Sequence, residues 1–223
     1  MSQFGVSAEA DLEARTVHIP GGQEYRATDV QIEGDFSSAA FLMVAAAISG
    51  TATIDNLPIN TAQGDGRIVS LLKEFGAAVT RDATSVSVTS APLCAQSVDC
   101  ADIPDLVPVL AVLGTQASGT TVLQNIGRLR IKESDRIAAI TRELAKMGAD
   151  IKADKTALHI HGPTPLRGAC IDPHDDHRIA MACAVASLVA SGTTTIRNVE
   201  CMEKSYPEFL SDFAALGGGV SGK

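Results

Sequence analysis

Asp176-His177-Arg178-Ile179-Ala180-Met181-Ala182-Cys183-Ala184-Val185 passes from three titratable side chains straight into an apolar run, and Gly192-Thr193 and the segment Ile196-Arg197-Asn198-Val199 follow it. The same line is written twice more. Gly34-Asp35-Phe36-Ser37-Ser38 leads through Ala, Val and Leu to Gly50-Thr51 and Ile54-Asp55-Asn56-Leu57. Ile103-Pro104-Asp105 leads in the same way to Gly119-Thr120 and Leu123-Gln124-Asn125-Ile126. The glycines recur about 70 positions apart, a period that marks a repeat architecture.

Each copy reads as a helix followed by a strand. Ser37, Ser38, Asp105 and Asp176 have the side chains that start helices, and Gly50, Gly119 and Gly192 suit the left-handed position that ends them. Thr51-Ala52-Thr53-Ile54, Thr120-Thr121-Val122-Leu123 and Thr193-Thr194-Thr195-Ile196 have strand composition. The helices are apolar nearly all round, so they are expected to be buried. A second, amphipathic helix follows each strand: Ile68, Leu71, Leu72 and Phe75 keep helical spacing before Gly76, as do Ile137, Ile140, Leu144 and Met147 before Gly148 and Phe209, Phe213 and Leu216 before Gly217. Short strands come next, at Ala78-Val79-Thr80, Ser85 to Val88, Ile151-Lys152 and Leu158-His159-Ile160. The expected fold class is therefore α/β, with repeated βαβαββ units, buried helices and outer sheets. Residues 1–58 hold the tail of one repeat and the final unit stops soon after its second helix, which reads as part of a larger protein.

Composition narrows the function. A chain of 223 residues with 45% hydrophobic residues is an ordinary globular one, and a formal charge of -8 argues against nucleic acid or an anionic membrane as partner. Five cysteines, with no CxxC or Cys/His ligand spacing, fit reduced thiols in a cytoplasmic protein. No signal peptide is visible, and the apolar run Ile179 to Val189 is too short to span a bilayer.

Against that acidic background one basic cluster stands out. Arg128, Arg130, Lys132 and Arg136 crowd together, interleaved with Glu133 and Asp135, after a strand and ahead of a helix. Cations at a helix N-terminus oppose its dipole unless an anion sits there, so the segment reads as a phosphate or carboxylate cradle, or else as a solvated charged turn. Lys132 and Arg136, four apart, would share a helical face. Arg178 ahead of an apolar helix needs a partner, either Asp175 or Asp176 or a ligand. His174 and His177 find no third ligand of convincing spacing, so no metal is expected. Asp105 is a helix cap on the plain reading and a general base if it faces the cations. Lys204 before Tyr206-Pro207 is otherwise an ordinary surface lysine.

In combination these segments resemble the 5-enolpyruvylshikimate-3-phosphate synthase (3-phosphoshikimate 1-carboxyvinyltransferase) family. The resemblance is carried by Gly34 to Ala40, Gln63-Gly64-Asp65, Ile103-Pro104-Asp105, Arg130-Ile131-Lys132-Glu133-Ser134-Asp135-Arg136, Asp176 to Ala182, and Lys204. It runs end to end but covers only the C-terminal half of the family's chain. It implies an enolpyruvyl transferase-like inside-out α/β barrel, with residues 1–58 a remnant of the first domain and 59–223 a nearly complete second domain. It also implies transfer of the enolpyruvyl group of phosphoenolpyruvate to the 5-hydroxyl of shikimate 3-phosphate, with release of phosphate and without a cofactor, in aromatic amino acid biosynthesis.

By the same resemblance Asp105 takes the hydroxyl proton, and Lys132 lies beside it on shikimate 3-phosphate. Glu133 exchanges a proton with the phosphoenolpyruvate methylene. Arg136, Arg178 and Lys204 hold phosphoenolpyruvate, in the region where glyphosate binds in this family, and Ser38 matches a phosphate-binding serine for shikimate 3-phosphate. On the residues alone, Ser37 and Ser38 can each cap a helix or bond a phosphate, and the two roles are compatible. Phe41 stands where many members have Tyr, and Arg128 where some have Asn. The expectation is a chain inactive alone, which pairs with the missing N-terminal half or with itself. A catalytically silent anion-binding domain that needs a partner chain is the alternative. The sister enzyme acting on UDP-N-acetylglucosamine is disfavoured by the Lys132–Arg136 and Asp176–Ala182 segments.

Overall fold

Three apolar helices, α1 (Phe36–Ser49), α3 (Val107–Gln116) and α5 (His177–Ser187), pack against one another at the centre of the chain from Gly34 onward. Their side chains explain the position. Phe41, Met43, Val109, Leu110, Leu113, Ile179 and Met181 are all completely buried, so no face is left for solvent. Burial of each such side chain stabilises the fold by about 1.5–3 kcal/mol relative to exposure. The amphipathic helices α2 (Ile68–Phe75), α4 (Arg136–Lys146) and α6 (Phe209–Ala215) bury one stripe each.

The middle repeat is complete. Strand β6 (Ser97–Asp99) leads through α3 to β7 (Gly119–Gln124), with which it pairs in parallel, and α4, β8 (Asp150–Ala153) and β9 (Leu158–Gly162) follow. The resulting sheet has the order β6-β7-β9-β8, with β9 antiparallel to both of its neighbours. The first repeat contributes β3 (Thr51–Ile54), β4 (Ala78–Arg81) and β5 (Val86–Thr89) in the order β3-β5-β4. In the third, β10 (Cys170–Ile171) and β11 (Thr195–Ile196) pair in parallel across α5. The βαβαββ unit expected from the repeats is therefore present, helices inside and sheets outside.

Two local expectations are corrected. Gly50 follows α1 directly but is extended (φ -177); Gly119 and Gly192 do take positive φ (111 and 84), but Gly119 opens strand β7 and Gly192 lies beyond the end of α5. The left-handed stops are Gly76, Gly148 and Gly217, behind the amphipathic helices. At the starts, Asp35 caps α1 by accepting the N–H groups of Ser37 and Ser38, and Asp176 caps α5. Asp105 caps nothing; it sits in a 3-10 turn, Pro104–Leu106, and α3 begins with Pro108 in its first turn.

The computed structural model describes residues 1–221 and divides into two compact units, Met1–Glu33 and Gly34–Lys223. The first has a small antiparallel hairpin of β1 (Glu9–Asp11) and β2 (Thr16–His18), and an edge-on contact of Phe4 with Tyr25. The sequence divides the chain at 58, whereas residues 34–58 join the larger unit. The reason is α1, which has no polar face and is covered by α3 and α5, with β3 locked in the sheet beside β5.

Candidate functional site

The starts of α3, α4 and α5 bring their charged residues to one place. In the turn before α3, Asp105 Oδ1 accepts from Arg136 Nη1 at 2.8 Å and lies 3.7 Å from Lys132 Nζ. Its Oδ2 lies 3.2 Å from Arg178 Nη2. Asp135 caps α4 through the Ala138 N–H, which makes Arg136 the first helical residue and turns its side chain inward. Arg136 is 1% exposed, and each of its three nitrogens meets a carboxylate. Nε donates to Asp176 at 2.7 Å, Nη1 to Asp105, and Nη2 to Glu133 at 2.6 Å. Burial of a bare guanidinium would cost several kcal/mol, and this arrangement is what offsets it. Asp176 is fully buried, caps Arg178 N–H through Oδ1, and also receives Ser134 Oγ on Oδ2 at 3.0 Å.

The electrostatics follow from these contacts. Burial pushes the Asp105 carboxyl up, but Arg178, Arg136 and Lys132 outweigh it and hold it below the usual carboxylate range. Burial depresses the Arg136 guanidinium, and Asp176, Glu133 and Asp105 more than reverse that. Asp65 goes the other way. Burial raises it, its hydrogen bond from Ser37 opposes this, and the nearby Asp105 charge raises it further. His177 is pushed down by burial and by Arg178, and its Nδ1 finds no hydrogen-bond partner among the described residues. Asp105 is thus an ionised base in a cationic field. An anion that engaged Arg178 and Lys132 would relax that field and make the carboxylate a better proton acceptor.

Asp105, Lys132, Glu133, Arg136 and Arg178, singled out in the sequence, are therefore brought together. Lys204 ends a 3-10 turn, Val199–Lys204, and its Nζ donates to the Asp175 carbonyl at 3.2 Å, one residue from the Asp176 anchor. Ser38 Oγ donates to Asp35 at 2.6 Å and Ser37 Oγ to Asp65, so both hydroxyls already face carboxylates. Gln63 braces that helix start, bonding the Gly34 carbonyl at 2.9 Å and the Phe36 N–H at 2.8 Å.

The basic cluster splits. Arg128 donates to the Ala101 carbonyl, and Arg130 to the carbonyls of Lys155 and Asp154 and to the Asp135 carboxylate, so both staple loops. Lys132 lies ahead of α4, so its meeting with Arg136 comes from both reaching Asp105 and not from a shared helical face. Phe41 is buried edge-on against Phe209. His174 turns to Glu143 at 3.1 Å. Among the described residues no group of three or more His, Cys, Asp or Glu side chains is placed to hold a metal ion.

Sequence reasoning missed three parts of the site. Asp176 reads as a cap and proves also to be the buried anchor of Arg136. Ser134 and Asp65 lie in segments that carry the family resemblance, but their contacts with Asp176 and Ser37 have no local signal in the sequence.

A family model described as EPSP synthase (3-phosphoshikimate 1-carboxyvinyltransferase) matches residues 1–213. The 3-phosphoshikimate 1-carboxyvinyltransferase of Methanocorpusculum labreanum is 44% identical over 217 residues, 97% of this chain and 51% of that protein. The protein of the same name from Clostridium kluyveri is 40% identical over 220 residues, covering 99% and 51%. Among solved structures, EPSP synthase from Acinetobacter baumannii superposes with a TM-score of 0.88 at 30% identity, over 99% of this chain and 54% of that one. The enolpyruvyl transferase NikO from Streptomyces tendae shares the fold, with a TM-score of 0.76 at 22% identity over 99% and 52%. The chain spans about half the length of the curated relatives it matches. With the family model matched over 213 residues and relatives alike across nearly its whole length, this chain belongs to the EPSP synthase family.

Proposed function

We propose that this chain supplies the C-terminal half of an enolpyruvyl transferase, which moves the enolpyruvyl group of phosphoenolpyruvate to the 5-hydroxyl of shikimate 3-phosphate and releases phosphate. The observation that carries the reading is Asp105, a carboxylate at a helix start that caps nothing and is met by Arg136, Arg178 and Lys132. A structural aspartate there would cap α3, whereas a base for a substrate hydroxyl has to stand among the cations that hold the anionic partners.

In this reading Asp105 takes the hydroxyl proton and Glu133 serves the methylene carbon. Arg178, Lys204 and Lys132 hold the phosphate and carboxylate groups. Arg136, with all three nitrogens occupied, fixes the spacing of Asp105 and Glu133 as well as adding charge. Ser37 and Ser38 reach a phosphate by rotating from Asp65 and Asp35. Residues 1–33 belong to the other domain, and the rest of the cleft comes from an N-terminal half. A cytoplasmic location goes with this reading. Among the described residues no helix is long and apolar enough to cross a membrane.

The test is phosphate release from phosphoenolpyruvate and shikimate 3-phosphate, with the chain alone and with the N-terminal half of a full-length relative. The expected result is no turnover alone and restored turnover in the mixture, abolished by Asp105→Asn. Turnover by the chain alone would sink the half-site reading. Phosphoenolpyruvate binding without turnover in the mixture would favour a silent anion-binding domain.

A further inference from the structure

Glu143 has no solvent exposure and no part in the cluster around Asp105, yet its buried carboxylate meets three partners. Its Oε2 accepts from Lys146 Nζ at 2.6 Å and from the Asp172 N–H at 3.1 Å, and its Oε1 lies 3.1 Å from His174 Nε2. Lys146 comes from the same helix, but Asp172 and His174 belong to the loop between β10 and α5. The pairing with Lys146 Nζ suits a carboxylate that accepts, and the Nε2–H tautomer of His174 completes that set.

That loop is bent in an unusual way. His174 and Asp175 are consecutive non-glycine residues with φ of 56 and 56, a left-handed conformation that such residues seldom adopt. The bend has direct consequences for the site. It turns the Asp175 carbonyl to Lys204 Nζ and delivers the next residue, Asp176, to Arg136, Ser134 and the start of α5. Helix α4 thus grips the loop twice. Arg136 holds Asp176, and Glu143, seven residues or about 10 Å further along the helix, holds Asp172 and His174.

We propose that His174 is a positioning residue for the anion-holding cluster: its bond to Glu143 clamps the left-handed His174–Asp175 bend to α4 and so sets Asp176, Arg178 and the carbonyl that receives Lys204. A pair serving only fold stability would need no strained loop between itself and the site, and Lys146 already answers the Glu143 charge. The consequence for phosphoenolpyruvate rests on the function proposed above; the geometric claim does not.

The experiment uses the whole 223-residue chain and follows the side-chain Nε–H signal of Arg136 by nitrogen NMR. In the parent that proton is bonded to buried Asp176 and should exchange slowly. His174→Asn keeps a residue that tolerates the left-handed bend but is too short to reach Glu143. It should speed that exchange about tenfold and weaken phosphoenolpyruvate binding by a similar factor. His174→Gln, which retains a nitrogen donor at the right reach, should restore most of both. Val86→Ala, a core truncation in the β3-β5-β4 sheet, should lower stability and leave both unchanged. An unchanged Arg136 signal in folded His174→Asn overturns the proposal. So does loss of the fold in His174→Asn, because His174 would then be a folding residue. Failure of the parent to bind phosphoenolpyruvate would count against the proposed function, while the Arg136 signal would still decide this inference.

Discussion

Asp176→Ala removes one carboxylate on which three groups depend. Arg136 Nε and Ser134 Oγ lose their acceptor and the Arg178 N–H loses its cap. Arg136 stays buried at 1% exposure, with Asp105 and Glu133 still beside it. Breaking a buried pair from one side costs about 3–5 kcal/mol, and the two remaining carboxylates put this case at the lower end, about 3 kcal/mol. Loss of the cap adds about 1 kcal/mol. The sum, about 4 kcal/mol, is a large share of the roughly 5–15 kcal/mol that holds a domain together.

With a urea slope of about 2 kcal/mol/M, the midpoint of unfolding should fall by about 2 M. Asp176→Asn, which keeps an acceptor and loses the charge, should lose about half as much. The double replacement Asp176→Leu with Arg136→Met supplies the control. Removing both charges together should cost less than the sum of the two single changes, since neither is then left unpaired. A midpoint shift below about 0.5 M for Asp176→Ala, or additive costs in the double replacement, would refute the claim that this pair is the buried anchor of the site.

Two further outcomes follow from the same structure. Gly168→Ala should disrupt the β10–β11 pair and lower the unfolding midpoint followed by circular dichroism, because an added Cβ would run into the Thr193 backbone, which would have to shift. For Asp105, the folded carboxyl is held below its unfolded range of about 3.9, so its contribution to stability is present above that value and lost as pH falls through the folded one. The stability gap between parent and Asp105→Asn in urea should therefore be constant near neutrality and close in acid.

Much of this fold was legible because its cause is periodic. Apolar runs such as Val107 to Leu113 and Ile179 to Val185 admit no solvent face, and a chain that repeats such a run must bury the copies against each other. The amphipathic helices were equally plain, since Gly76 and Gly148 stop them where the apolar stripe stops. Helix ends without a stripe were not. The turn from α1 into β3 is made by extended Gly50, a conformation that any residue can adopt and that composition does not announce.

The site was legible in its members and illegible in its wiring. Arg128, Arg130, Lys132 and Arg136 look alike as a string, and which of them stays in the loop depends on carbonyls of residues 101, 154 and 155, brought in by other turns of the same repeat. Local rules treat Asp105 and Asp176 alike, each as an aspartate ahead of an apolar helix. Only Asp176 caps, because the chain enters α5 in extended backbone, whereas Pro104 draws the chain into a 3-10 turn before α3. That one difference of entry frees the Asp105 carboxylate to meet three cations, so the same repeated motif yields a helix cap in one copy and an uncommitted carboxylate among cations in another.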